Sequence, residues 1–293
     1  MKSLFRFLFL AFFLLTASHV VDAKEKDDVV RILSIGNSFS VDAIENHFHE
    51  LAVASGKKVI VGNMYIGGCS LKKHLNNAEN DLPAYTYYKR GLDGQNVRTK
   101  EVSLATALAD EQWDYVSFQQ QSGRSGIYDT WEKSLPDLVE YVRSRVPKDA
   151  VFMLHQTWAY DQTSKHKDFP KYDNDQMKMY YAIVDAVTRI SDKSGIKMVI
   201  PCGTAVQNAR TTSLADLVCR DGYHLNKVYG RYIAACTWLY KVLGVNPVGN
   251  SYAPEGMSQQ QKALAQKSAY AAVKRPCRVT DLGLFEKRVN KNL

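Results

Sequence analysis

Four short stretches of this sequence carry residue types that together could perform acyl transfer. Gly36-Asn37-Ser38 follows an apolar segment, and a Ser in a tight Gly-led turn before a helix exposes its hydroxyl where backbone N–H groups favour developing negative charge. The plainer alternative is that Ser38 or Ser40 only caps the helix that follows. Asp221 and His224 stand three apart near the end of the chain. That spacing lets a carboxylate hold the imidazole of a base, as a hydroxyl nucleophile requires. Acyl transfer also needs donors for an oxyanion. The backbone N–H of Ser38 is one and Gly68 in Gly67-Gly68 a second, while Gln119-Gln120-Gln121 could bring a side-chain amide. Gln120 is favoured over Gln119 for that role. His74, His155, Trp158 and Tyr160 fall near strand ends, where they either line a pocket with Asn37 or pack the core.

These residues must be positioned by an alternation of strands and helices. Apolar segments at 30–35, 59–61, 115–118, 150–154 and 198–200 read as strands. Helical spacing covers 42–54, 102–109, 131–145, 175–194, 226–243 and 258–272. Such alternation implies an α/β fold, a central parallel sheet of about five strands with helices on both faces. In such sheets the crevice lies at the carboxyl ends of the strands, where all four stretches fall. Segments 83–95 and 160–173 read as loop insertions. No linker or repeat interrupts the chain, so 24–293 is expected to be one domain.

The chain has 293 residues, 45% hydrophobic and 23% charged, which excludes wholesale disorder and coiled-coil architecture. Its formal charge is +8, but the basic residues are scattered and no motif accompanies them, so a nucleic-acid partner is not expected. Residues 1–23 have the layout of a signal peptide: Lys2 and Arg6, an apolar run from Phe7 to Ala17, then Val21-Asp22-Ala23. The run is short of the roughly 20 residues that span a bilayer, and no later segment approaches that length. The protein is therefore expected to be exported, periplasmic or secreted, with no transmembrane segment. Of the five cysteines, at least one must be unpaired in a monomer; Cys202–Cys219 is a possible bridge, and buried free thiols an equal alternative. His47-x-His49 on a helix would point its rings apart, which disfavours a metal site.

The four blocks, in this order, resemble the SGNH (GDSL-like) hydrolase superfamily. Gly36-Asn37-Ser38-Phe39 matches its Gly-Asp-Ser-Leu-like turn, Gly68 its second-block glycine, and Asp221-Gly222-Tyr223-His224 its Asp-x-x-His. More narrowly, the chain is similar to exported SGNH-like proteins marked by Gly-Asn-Ser-Phe, Gln-Gln-x-Ser and Asp-Gly-x-His-Leu blocks. It departs from the superfamily at Asn37 and at the third block, where Gln119-Gln120-Gln121-Ser122 replaces Gly-x-Asn-Asp. The resemblance implies a flavodoxin-like three-layer α/β/α sandwich, no metal and no organic cofactor. It further implies an esterase with Ser38, His224 and Asp221 as catalytic residues, acting on an acylated carbohydrate or other small acylated substrate. The altered third block leaves a non-catalytic glycan-binding protein as the first alternative; the second, a lipid or thioester hydrolase, would need an apolar trough beside Ser38 that the polar Gln run does not favour. An α/β-hydrolase would instead show Gly-x-Ser-x-Gly, whereas Ser40 stands at the second glycine.

Overall fold

The structure is a computed structural model that describes residues 28–291. The expected signal peptide, 1–23, lies outside the described residues. Seven strands form one sheet: β1 Val29–Gly36, β2 Lys58–Tyr65, β3 Tyr85–Arg90, β4 Asn96–Val102, β5 Tyr115–Phe118, β6 Val151–His155 and β7 Met198–Ile200. Their spatial order is β4-β3-β2-β1-β5-β6-β7. The strands β2, β1, β5, β6 and β7 are parallel, while β3 and β4 extend the β2 edge as an antiparallel hairpin. The five parallel strands thus have the flavodoxin-like order, with the chain reversing direction across β1. The segment 83–95, expected as a loop insertion, holds β3 instead. Strand β4 is exposed along nearly its whole length, so it lacks the apolar alternation that reveals a strand.

The helices are α1 Ser38–Ile44, α2 Phe48–Val53, α3 Leu71–Glu79, α4 Leu104–Asp110, α5 Asp129–Glu132, α6 Leu135–Arg143, α7 Gln176–Ser194, α8 Cys202–Ala209, α9 Tyr229–Leu243, α10 Gln259–Lys274 and α11 Gly283–Val289. Helices α1, α2, α8, α9 and α10 pack together as one layer, and α3 to α7 as the other. The architecture is the expected three-layer α/β/α sandwich. The helix expected over 42–54 is two helices, α1 and α2. The chain breaks at His47, whose φ of 66° is left-handed and incompatible with a continuing helix.

Parallel pairing aligns the strand ends into one rim: Gly36 lies beside Tyr65, Ile35 beside Phe118, and Phe118 beside Leu154. Beneath that rim Trp113, Trp131, Trp158 and Trp238 are fully buried, anchoring a single hydrophobic cluster that touches both layers. All five cysteines are unbridged, including Cys202 and Cys219; four are buried and Cys277 is exposed. Among the described residues no helix is long and apolar enough to cross a membrane.

Candidate active site

Strand β1 ends in a turn that admits only glycine at Gly36, because a Cβ there would stand 2.5 Å from Ser40 Oγ. Asn37, in an extended conformation, caps α1 by accepting the Phe39 N–H on Oδ1 at 3.0 Å. Neither Ser38 nor Ser40 is the cap. Ser38 is the first helical residue, its hydroxyl free for other work, while Ser40 Oγ donates to the Asn37 carbonyl at 2.7 Å.

Ser38 Oγ lies 2.9 Å from His224 Nε2, and His224 Nδ1 lies 2.7 Å from Asp221 Oδ2. The carboxylate oxygen can only accept, so the Nδ1 hydrogen belongs to Asp221 and Nε2 is left to take the Ser38 hydrogen. The other oxygen, Asp221 Oδ1, accepts the backbone N–H groups of His224 at 2.7 Å and Tyr223 at 3.2 Å. Partial burial alone would raise the Asp221 carboxyl, but hydrogen bonds from the His224 ring and from the His224 and Tyr223 backbone outweigh it and hold it below its ordinary range.

The Asp221–His224 turn is fastened on three sides. Asp42, four residues along α1 from Ser38, is buried and accepts from Arg220 Nη1 at 3.1 and 3.3 Å, Arg231 Nε at 2.8 Å and Leu225 N at 2.8 Å. Arg220 and Leu225 immediately flank the turn, so one carboxylate grips both of its ends. Arg220 Nη1 also donates to the Leu225 carbonyl, and Arg220 N to that of His224 at 2.9 Å. On the second side, Trp158 stacks on Phe39 with ring centroids 4.2 Å apart and donates its indole N–H to the Tyr223 carbonyl at 2.7 Å. On the third, Asp161 N donates to the Gly222 carbonyl at 2.8 Å. Gly222, at φ 86°, takes a conformation that L side chains rarely adopt.

Two backbone donors beside the Ser38 turn are unspent. The N–H groups of Ser38 and Gly68 make no hydrogen bond among the described residues, and Gly68 is exposed at φ 60°. Asn37 Nδ2 donates to the Cys69 carbonyl at 3.0 Å, tying the Gly68 turn to the Ser38 turn. The glutamines behave differently from the expectation. Gln120 spends its amide nitrogen on the Thr130 carbonyl and hydroxyl, at 2.9 and 3.1 Å, while Oε1 accepts from Leu71 N and Gln121 N. It braces two loops and offers no N–H to Ser38. Gln119 is fully buried; Nε2 donates to Asn37 Oδ1 at 2.7 Å and Oε1 accepts from His155 Nδ1 at 2.7 Å.

None of the five residues expected to line a pocket is exposed to it. Asn37 is buried and its side chain is occupied as described. His74 is fully buried against Tyr85, 3.0 Å from its hydroxyl, and burial pushes its pKa down to about 3, so it is neutral. Trp158 is fully buried under the His224 turn. Tyr160 is also buried, its hydroxyl 2.9 Å from Ser122 Oγ. A strand end fixes where a side chain starts but not its direction, and large apolar surfaces turn inward. His155 is likewise buried and held neutral, its pKa lowered to about 3 by burial. What residue types alone missed was Asp42, although its four-residue offset from Ser38 on one helix face was a usable signal. Among the described residues no group of three or more His, Cys, Asp or Glu side chains is placed to hold a metal ion.

A family described as a domain of unknown function, DUF4886, matches residues 31–272, which include Ser38, Asp42, Asp221 and His224. The chain belongs to the DUF4886 family. A crystal structure of a DUF4886 family protein from Bacteroides uniformis is 50% identical, covers 87% of this chain and 98% of its own, and superposes with a TM-score of 0.86. A candidate SGNH hydrolase from Slackia heliotrinireducens shares the fold at 23% identity and a TM-score of 0.51, over 73% of this chain and 98% of that one. An acetylxylan esterase from Geobacillus stearothermophilus overlaps more loosely, with 14% identity over 72% of this chain and 93% of that one and a TM-score of 0.48. No curated protein matches the sequence. The DUF4886 chain thus carries Ser38, His224 and Asp221 at the rim of a flavodoxin-like sheet.

Proposed function

We propose that this protein is an exported serine esterase that removes acyl groups, O-acetyl foremost, from carbohydrate. In this reading residues 1–23 are removed and 24–293 act as one domain. The observation that carries it is the continuous hydrogen-bonded line from Ser38 Oγ through the His224 ring to Asp221, at 2.9 and 2.7 Å. A helix cap or a turn residue needs no such alignment. The carbohydrate preference rests on the SGNH resemblance and on the expected export.

Ser38 Oγ attacks the ester carbonyl as its proton passes to His224 Nε2. The tetrahedral oxyanion faces the N–H groups of Ser38 and Gly68, with Gln119 supporting the turn from beneath. Collapse expels the sugar alkoxide, which takes the proton from His224, and leaves an acyl group on Ser38. Water, deprotonated by His224, then attacks the acyl-enzyme, the acyl–Oγ bond breaks, and His224 returns the proton to Ser38 Oγ as the acid leaves. Asp221 holds the imidazole in the required tautomer throughout and stabilises its charged form.

The test is release of p-nitrophenol from its acetate, butyrate and octanoate esters by the protein, beside Ser38→Ala and His224→Ala. Turnover of acetate is expected to fall by about 10⁴-fold or more in either variant. A preference for the octanoate would favour a lipid hydrolase. A fluorophosphonate that labels neither the protein nor the variants would mean that Ser38 is not a competent nucleophile and would favour the glycan-binding alternative.

A further inference from the structure

Charge around the Ser38 crevice is unevenly matched. Three carboxylates on the loops around the Asp221–His224 turn are already engaged: Asp161 with Arg210 at 2.5 Å, Asp168 with Lys171 at 2.6 Å, and Asp221 with His224. Asp42 beneath them is saturated by Arg220 and Arg231. The cations are in excess. Lys72 and Lys73 open α3 directly after the Gly68 turn, Arg124 follows β5, and Lys165 and Lys167 lie in the loop after β6. All five are exposed, and none makes an ion pair among the described residues.

Four of them, Lys72, Lys73, Lys165 and Lys167, stand on two segments, or banks, one tied to the Ser38 turn and the other to the Asp221–His224 turn. On one bank, Leu71 N is held by Gln120 Oε1 at 3.0 Å and the Cys69 carbonyl by Asn37, so the start of α3 is fixed beside the Ser38 turn. On the other, the loop bearing Lys165 and Lys167 packs on the catalytic turn. The His166 ring lies 4.7 Å from that of Tyr223, and a Cβ on Gly222 would stand 3.1 Å from Ser164 Cα. A neutral sugar ester gains nothing from unpaired ammonium groups, whereas an anionic chain passing between the banks meets them on both sides.

We propose that the acyl group is carried by an anionic glycan, one with carboxylate or sulfate groups on its sugars, held between Lys72 and Lys73 on one bank and Lys165 and Lys167 on the other. The proposal rests on the esterase reading for the ester, but the charge recognition can be measured without turnover. Calorimetric titration of Ser38→Ala with polygalacturonate, dextran sulfate, neutral arabinoxylan and a single-stranded oligonucleotide, at about 20 mM and about 300 mM NaCl, separates the cases.

Polygalacturonate or dextran sulfate is expected to bind at low salt and to weaken by about tenfold or more at high salt, with arabinoxylan weaker at low salt. Whichever polyanion binds more tightly identifies carboxylate or sulfate. Replacing all four lysines by Gln should flatten the salt dependence, with an unchanged melting temperature showing that the variant folds. Equal binding of arabinoxylan, an unaltered salt response in the four-lysine variant, or tighter binding of the oligonucleotide would each overturn the proposal. Fluorophosphonate labelling of the unmodified protein keeps the two readings apart. If labelling succeeds and binding ignores salt, only the charge proposal falls; if labelling fails, only the esterase reading does.

Discussion

Replacing Asp42 by Asn is the sharpest test of how Ser38 and the Asp221–His224 turn are held together. The Asp42 side chain is 1% exposed and takes its hydrogen bonds from two guanidinium groups and one backbone N–H. Asn keeps one acceptor oxygen but presents an NH₂ group to donors and removes the charge opposite Arg220 and Arg231. Deleting one partner of a fully buried ion pair costs about 3–5 kcal/mol. Here Arg220 is 31% and Arg231 15% exposed, so water takes up part of the loss and about 2–3 kcal/mol is expected. For a chain of this size that is a fall in melting temperature of about 5–10 °C. The effect on turnover should exceed the effect on binding, because the freed turn carries both Asp221 and His224. A displacement of about 1 Å at a reacting group costs about 100-fold in rate. Thermal melting and kcat/KM for p-nitrophenyl acetate measure both quantities. An Asn variant that melts with the parent and keeps its kcat would refute the view that Asp42 fastens the turn.

Glu45 is a buried carboxyl beside Asn63 whose pKa burial pushes up from 4.5 to about 7. A raised value means that the folded protein prefers the protonated form, so the stability contribution is present below about pH 4.5 and is lost as pH rises through about 7. Glu45→Gln should therefore raise the melting temperature at pH 8, by up to about 3 kcal/mol of stability, and change little at pH 4; a loss at pH 8 would contradict this. Asp221 shifts the opposite way, so its contribution is present above the ordinary carboxylate value and disappears as pH falls through its own lower one. Asp221→Asn should flatten the acid limb of a stability-against-pH curve and reduce kcat by about 10⁴-fold, seen by melting at stepped pH and by ester turnover. Trp158→Phe keeps the stack on Phe39 but loses the bond to the Tyr223 carbonyl. It should cost about 1 kcal/mol in denaturant titration and a few-fold in kcat; no change in either would remove Trp158 from the fastening of the turn.

The parallel strands were legible because segments such as 30–35 and 115–118 are largely buried and mostly apolar, interrupted only by Arg31, Ser34 and Ser117. Ser38, Asp221 and His224 were legible because their relationship is local: a Gly-led turn at a strand end and a three-residue spacing within one turn. What escaped was direction. Gln120 and Trp158 sit where a sequence argument puts them, yet the amide turns to Thr130 and the indole to the Tyr223 carbonyl. Hairpin β3–β4 escaped because an exposed edge strand of Thr, Lys, Arg and Glu carries no apolar period. The break at His47 escaped because α1 and α2 keep one apolar face across it, so the helical spacing of Ile44, Phe48 and Leu51 reads straight through.

The line from His155 through Gln119 to Asn37 has a kinetic corollary. Each side chain donates to the next, all are buried, and burial keeps His155 uncharged, so the line runs in one direction. It laces the ends of β6, β5 and β1 to the Gly68 turn, and so the backbone donors proposed for the oxyanion are ordered when the sheet forms rather than when substrate arrives. The entropy of arranging them is spent in folding and is absent from the activation barrier. The same lacing denies the crevice a private way of coming apart. Loss of catalytic competence in denaturant should coincide with melting of the sheet, and the amide hydrogens of the Ser38 helix should exchange with those of the core strands rather than ahead of them.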